Sequence, residues 1–242
     1  MKNPSIFSVI GPTTRGPSSS HVAGAAKLGW LARKIFPGKI TQADIFLYGS
    51  FRETGKGHGT PEALASGLLD CPIGNIIDQK DAIHHAKKLG ISLNYIYGKS
   101  TEDLKYYSNV ARFRLGGFVE NKEKTVDITG ASIGGGDVRI IDIDDYKNLE
   151  YMDINGDMET LIIFHKDKPS TAAHILSVIS NEGYNIASAY LERKDRGGEA
   201  MLLLTLDNLS NGKPFISLGD IDFLKVNCIS DICYIIPETI KL

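Results

Sequence analysis

The sequence predicts an α+β protein of two tandem domains, and three observations carry that prediction. Its 242 residues exceed the roughly 100–200 of a usual single domain. Helical and extended periodicities are interspersed in both halves, which excludes an all-helical or all-β chain. The acidic stretch 144–159, DDYKNLEYMDINGDME, is poor in β-branched residues and holds Asn155-Gly156, a strong turn signal. The boundary belongs there, giving domains at 1–150 and 158–240. Apolar residues at 42% suffice for two cores, and 23% charged residues is ordinary for a globular protein.

In the first domain, HVAGAAKLGWLARKIF at 21–36 reads as a helix. Ala25, Leu28, Leu31, Ala32 and Ile35 recur there at three- and four-residue spacing. The serines at 18–20 offer its N-cap, and Pro37-Gly38 stops it. Residues 44–51, DIFLYGSF, read as a strand running into a glycine-rich loop. A second short helix starts in TPEALASGLL, 60–69, with Thr60 as cap, Pro61 at the first helical position and Glu62 next. A third helix covers 79–90 and stops on Gly90. Strands are expected near 92–97, 110–116, 124–129 and 138–143. The result is a mixed α/β domain.

In the second domain, TLIIFH at 160–165 is a strand. STAAHILSVISNEG at 170–183 is an amphipathic helix ending in glycine. NIASAYLERK at 185–194 alternates, a turn falls at 195–198, and EAMLLLTLD at 199–207 is a further strand. A short helix near 219–225 and the strand CISDICYII at 228–236 close the order βαββαβ, the ferredoxin-like plan.

Several function classes are excluded at this level. The 27 Lys+Arg against 29 Asp+Glu leave a net charge of −2, without the basic excess of a dedicated nucleic-acid binder. No run approaches the ~18 apolar residues of a membrane helix. The start, MKNPSIFSVIGP, lacks a signal-peptide core, so a cytoplasmic protein without a membrane partner is expected. Cys71, Cys228 and Cys233 are an odd count with no CxxC pair, which argues against disulfides and against a thiol ligand set for a metal. His84, His85, His165 and His174 have no zinc-site spacing.

Four segments can carry chemistry. In GPSSSH, residues 16–21, Ser18, Ser19 and Ser20 stand at a helix start, where free backbone N–H groups and hydroxyls suit a carboxylate or phosphate. His21 beside them can move a proton; the plain alternative is one capping serine with solvated neighbours. In GSFRETGKGHGT, residues 49–60, His58 lies between Gly57 and Gly59, which let the main chain approach a ligand closely. The spacing fits neither a phosphate loop nor a dinucleotide fingerprint. In GASIGGGD, residues 130–137, three successive glycines demand unusual backbone angles, for a ligand or simply for a bulge or tight crossover. Finally, HKDKPS at 165–170 with NEGYNIAS at 181–188 sets Asp167 beside a helix N-terminus. That pairing can grip an amino acid, or it is a cap and a turn.

Taken together, IGPTTRGPSSSHVAGAAKLG, GSFRETGKGHGT and GASIGGGD resemble the β chain of the two-chain bacterial iron–sulfur L-serine dehydratases, nearly end to end over the first domain. DKPSTAAHILSVISNEGYNIASAYLERKDRGGEAMLLLTLD resembles an ACT domain, which that β chain also carries. The resemblance implies conversion of L-serine to pyruvate and ammonia without pyridoxal phosphate. A [4Fe–4S] cluster ligated by the partner α chain acts there as Lewis acid, so this chain alone is expected to be inactive. It also implies that His21 and His58 handle the Cα proton, and leaves open which does which. Ser18, Ser19, Ser20, Lys56, Gly57, Gly59 and Thr60 are then expected to bind substrate, the serines and Thr60 at its carboxylate. In the ACT domain, Asp167, Ser170, Asn185 and Ile186 are the possible effector site, and edge-to-edge self-association is expected.

Two positions depart from the family pattern. Val22 stands where a threonine often follows SSSH. Ser170 stands where the ACT turn usually has glycine, which weakens the expectation of effector binding and points toward assembly. The competing reading is a purely regulatory amino-acid-binding module without catalytic residues. A serine hydrolase is disfavoured, because no GxSxG elbow is present.

Overall fold

The computed structural model describes residues 19–70, 81–98, 107–207 and 228–236. Its contacts divide the chain into two units between Asn155 and Gly156, inside the acidic stretch.

The first unit is a five-stranded sheet with helices on one face. Its elements are α1 (Ser19–Ile35), β1 (Lys39–Gly49), α2 (Ser50–His58), α3 (Thr60–Leu68), α4 (Ala82–Lys88), β2 (Ser92–Tyr97), β3 (Asn109–Val119), β4 (Lys122–Gly134) and β5 (Asp137–Ile143). The strand order is β2-β1-β3-β4-β5. β1 and β2 are parallel across the helical crossover, and the other neighbours are antiparallel. Alternation along the strands turns Ala43, Ile45, Leu47, Ala111, Phe113, Leu115 and Ile128 into the core. α1 meets them with Val22, Ala25, Leu28, Leu31, Ala32 and Ile35, all buried. Arg33 and Lys34 fall in its last turn, and Arg33 Nη1 donates to Phe36 O at 3.2 Å, which suits the negative end of the helix.

Glycines set the helix contacts. A Cβ on Gly29 would lie 2.3 Å from Leu64 O, and one on Gly67 would lie 2.0 Å from Ala26 O. α1 and α3 therefore cross backbone against backbone. Gly24 seats α1 on Ser132 of β4, and Gly130 of the same strand makes room for Leu28. On the outer face of the sheet, Asp127 holds Arg114 at 2.9 Å and Arg112 at 3.3 Å. There too Asn94 Nδ2 donates to Asp44 Oδ1 at 2.8 Å, across the β1–β2 register.

The second unit contains β6 (Glu159–Lys166), α5 (Thr171–Asn181), β7 (Asn185–Arg193), β8 (Glu199–Asp207) and β9 (Ile229–Ile235). The order β7-β8-β6-β9, antiparallel throughout, is the ferredoxin-like arrangement. Ile175 and Ile179 of α5 pack on Leu161, Ile163, Leu202, Leu204 and Leu206. The helix expected at 219–225 lies outside the described residues, as does Cys71. Among the described residues, no helix is long and apolar enough to cross a membrane.

One expectation for the first unit is corrected. Residues 50–58, read as a glycine-rich loop, form the helix α2. Burial of Phe51 holds the segment down, and its glycines do not prevent it from coiling. The reversal into α3 is made by Gly59 at φ +76°, so Gly59 rather than Thr60 is the α3 cap residue.

Candidate active site

The site forms where β1 ends. Gly49 has φ +57°, and a side chain there would strike Ser108 O at 2.3 Å. The chain passes directly into α2, with Ser50 N donating to Ser108 O. His58 is the last residue of α2, and the left-handed Gly59 follows as a helix-terminating glycine does. His21 lies in the first turn of α1. These elements bring the two imidazoles together with ring centroids 4.9 Å apart and planes inclined by 41°. The His21 ring also meets Phe51 edge-on at 5.5 Å, and its Nε2 lies 3.0 Å from Ser50 Oγ.

His21 is 7% exposed. Burial pushes its pKa below the ordinary 6.5, the neighbouring His58 pushes it further the same way, and a hydrogen bond with the Ser50 main chain opposes both. A neutral imidazole at neutral pH follows, which is the state that accepts a proton. The Ser50 N–H is occupied by Ser108 O, so the main-chain bond with His21 uses the Ser50 carbonyl as acceptor.

The other anticipated residues gather around this pair to different degrees. Ser19 and Ser20 are the first residues of α1, where backbone N–H groups lack intrahelical partners; Ser18 lies outside the described residues. Lys56 and Gly57 are in α2, and space around Gly57 is open. Thr60 is fully buried, and its Oγ1 donates to His21 O at 3.1 Å. The three glycines 134–136, at φ +109°, +63° and +87°, turn the β4–β5 hairpin, with Gly136 next to Ala23 of α1.

Two residues not singled out from the sequence belong here. One is Ser50, described above. The other is Asn109, which pairs with Gly49 on one side and Ser132 on the other. Asn109 Oδ1 and Ser132 Oγ are buried without hydrogen-bond partners among the described residues, although their residues are only 8% and 2% exposed. A polar residue in the inward register of an apolar strand was the available signal.

In the second unit, Asp167 Oδ2 accepts hydrogen bonds from Gly197 N at 3.0 Å and Arg193 Nη1 at 3.2 Å. The Gly197 bond, with Arg193 beside it, lowers the Asp167 pKa. This carboxylate ties the β7–β8 turn to the end of β6. Ser170 caps α5 at φ +68°, a left-handed conformation that explains why glycine suits the position. Asn185 opens β7, and Ile186 packs against the core under α5.

Among the described residues, no three His, Cys, Asp or Glu side chains are grouped to hold a metal ion. Cys228 immediately precedes β9 and Cys233 lies within it, buried.

Comparison with known proteins fits this geometry. The family described as serine dehydratase beta chain matches residues 5–142. The chain is 32% identical to the probable L-serine dehydratase, beta chain, of Bacillus subtilis (strain 168), over 86% of its own length and 89% of the relative's. It is 31% identical, with the same coverage, to the L-serine dehydratase, beta chain, of Peptoniphilus asaccharolyticus. It is also 26% identical, over 76% of its length, to a D-3-phosphoglycerate dehydrogenase of Synechocystis, but over only 31% of that protein. With its first unit matched nearly throughout and 86% of the chain aligned to two beta chains, this protein belongs to the serine dehydratase beta chain family.

Proposed function

We propose that this chain is the β subunit of a cytoplasmic L-serine dehydratase, and that the His21–His58 pair takes the Cα proton of L-serine. The observation that carries the reading is the meeting of two distant sequence motifs at 4.9 Å between imidazole centroids. Loss of the Cα proton and the β-hydroxyl from L-serine leaves an enamine, which tautomerises and hydrolyses to pyruvate and ammonia. A neutral imidazole accepts the first proton. The N-terminus of α1, with Ser18, Ser19 and Ser20, binds the substrate carboxylate. Gly57 and Gly59 allow close main-chain approach, and Lys56 is a further substrate-binding position.

In this reading a [4Fe–4S] cluster on the partner α chain serves as Lewis acid for the hydroxyl. The thiols of this chain do not suit it, so no step assigned here runs through the cluster. This chain alone is therefore inactive. The second unit is an ACT domain that associates with a second copy through its strand edge, with Asp167, Ser170, Asn185 and Ile186 as its possible effector positions.

The test is anaerobic reconstitution with the α chain, iron and sulfide, measuring pyruvate from L-serine. His21→Ala and His58→Ala are each expected to lower kcat by about 10²-fold or more. If both retain wild-type kcat and KM, the assignment is wrong. A purely regulatory module is the second reading, favoured by the similarity to D-3-phosphoglycerate dehydrogenases. It predicts amino-acid binding with no contribution of either histidine to turnover.

A further inference from the structure

We propose that Thr60 is a positioning residue, whose hydroxyl sets the spacing of the two imidazoles by holding the His21 carbonyl. This rests on the dehydratase reading above and replaces substrate binding as the role of Thr60. The Thr60 side chain is fully buried, and its proton is committed to His21 O across 39 residues of sequence. On its other side, Thr60 follows Gly59 and His58 directly. One hydroxyl thus links the helix that carries His21 to the junction that carries His58.

A second attachment makes this link effective. The α1–α3 crossing is closed at Gly29 and Gly67 by main-chain contact. Gly67 lies seven residues after Thr60 and Gly29 eight after His21, about 10–12 Å along each helix. The glycine crossing fixes how close the helices come, and the Thr60 bond fixes their relative angle at the histidine end. Without the hydroxyl, His21 O keeps its intrahelical partner. Thr60→Val therefore removes the link without stranding a carbonyl.

The assembled enzyme is measured with Thr60→Val and Thr60→Ser, reading kcat and KM separately. A displacement of about 1 Å can cost up to about 10²-fold. The Val variant is expected to lose roughly tenfold to a hundredfold in kcat with KM within about twofold, and Ser to restore kcat. An unchanged kcat, a raised KM, or failure of Ser to rescue overturns the proposal; a raised KM alone marks carboxylate binding instead. If Thr60→Val does not fold, Thr60→Cys makes the same comparison with a weak donor. A readout independent of turnover is the nuclear Overhauser contact between the His21 and His58 rings in the full chain. Val should lose it and Ser should keep it, and its persistence in Val overturns the proposal. If the wild-type assembly makes no pyruvate, the dehydratase reading fails, and this contact still decides the role of Thr60.

Discussion

Replacing Gly67 with alanine drives a methyl group into the α1–α3 crossing. On the present backbone the new carbon lies 2.0 Å from Ala26 O, 2.5 Å from Trp30 N and 2.9 Å from Gly29 C. All three are main-chain atoms, so no side-chain rotation relieves the clash. α1 cannot simply retreat, because Gly24 and Leu28 seat its other side on Ser132 and Gly130. Reaching an ordinary contact of about 3.5 Å requires the helices to part by roughly 1–1.5 Å. Overpacking of this kind costs about 1–3 kcal/mol, which for a unit of this size lowers the melting temperature by roughly 3–10 °C. Thermal unfolding of the purified chain measures it, with Gly116→Ala as the matched control. There an added carbon meets only Gln42 Cβ at 3.8 Å, so the control should melt at or above the wild type. If Gly67→Ala melts with the control, the helices do not cross at this distance and the clasp argument for Thr60 falls with it.

Two further outcomes follow from individual residues. Because His21 titrates below 6.5 when folded, the unfolded chain binds its proton first as pH falls. Stability is therefore full above 6.5 and declines as pH drops from 6.5 through the lowered folded value. Urea midpoints should fall over that window in the wild type and fall less in His21→Asn; identical pH dependence in both contradicts the buried neutral imidazole. Ser170→Gly should raise the stability of the second unit by about 1 kcal/mol, by relieving a left-handed serine; calorimetry showing a loss would mean that the hydroxyl is needed at that turn.

The order of elements was legible because periodicity and stop signals agree with packing. The helix from Ser19 to Ile35, the hairpin glycines 134–136 and the β6–α5–β7–β8 succession follow the pattern read from sequence. The segment 50–58 was not legible. Its glycines lower helix propensity, while the burial of Phe51, which outweighs it, is a tertiary fact. In the site, His21 and His58 announce themselves by their glycine and serine surroundings, but their contact does not. Ser50 and Thr60 looked like a loop residue and a cap. What they do depends on His21 being folded back over them, and no local pattern encodes that. Asn109 was hidden because its register partner, Ser132, lies across a strand pairing that sequence alone does not give.

Among the described residues, β2 pairs with β1 alone, and parallel neighbours cannot be aligned by a tight hairpin. Their alignment rests on which side chains face the core, and the exposed Asn94–Asp44 clip adds to it. A slip of one position would swing Tyr95 to the opposite surface. That would break its bond to Pro61 O at 2.7 Å, the brace beneath the start of α3. A solvent-side amide thus helps hold the tyrosine that props Pro61, the residue next to Thr60.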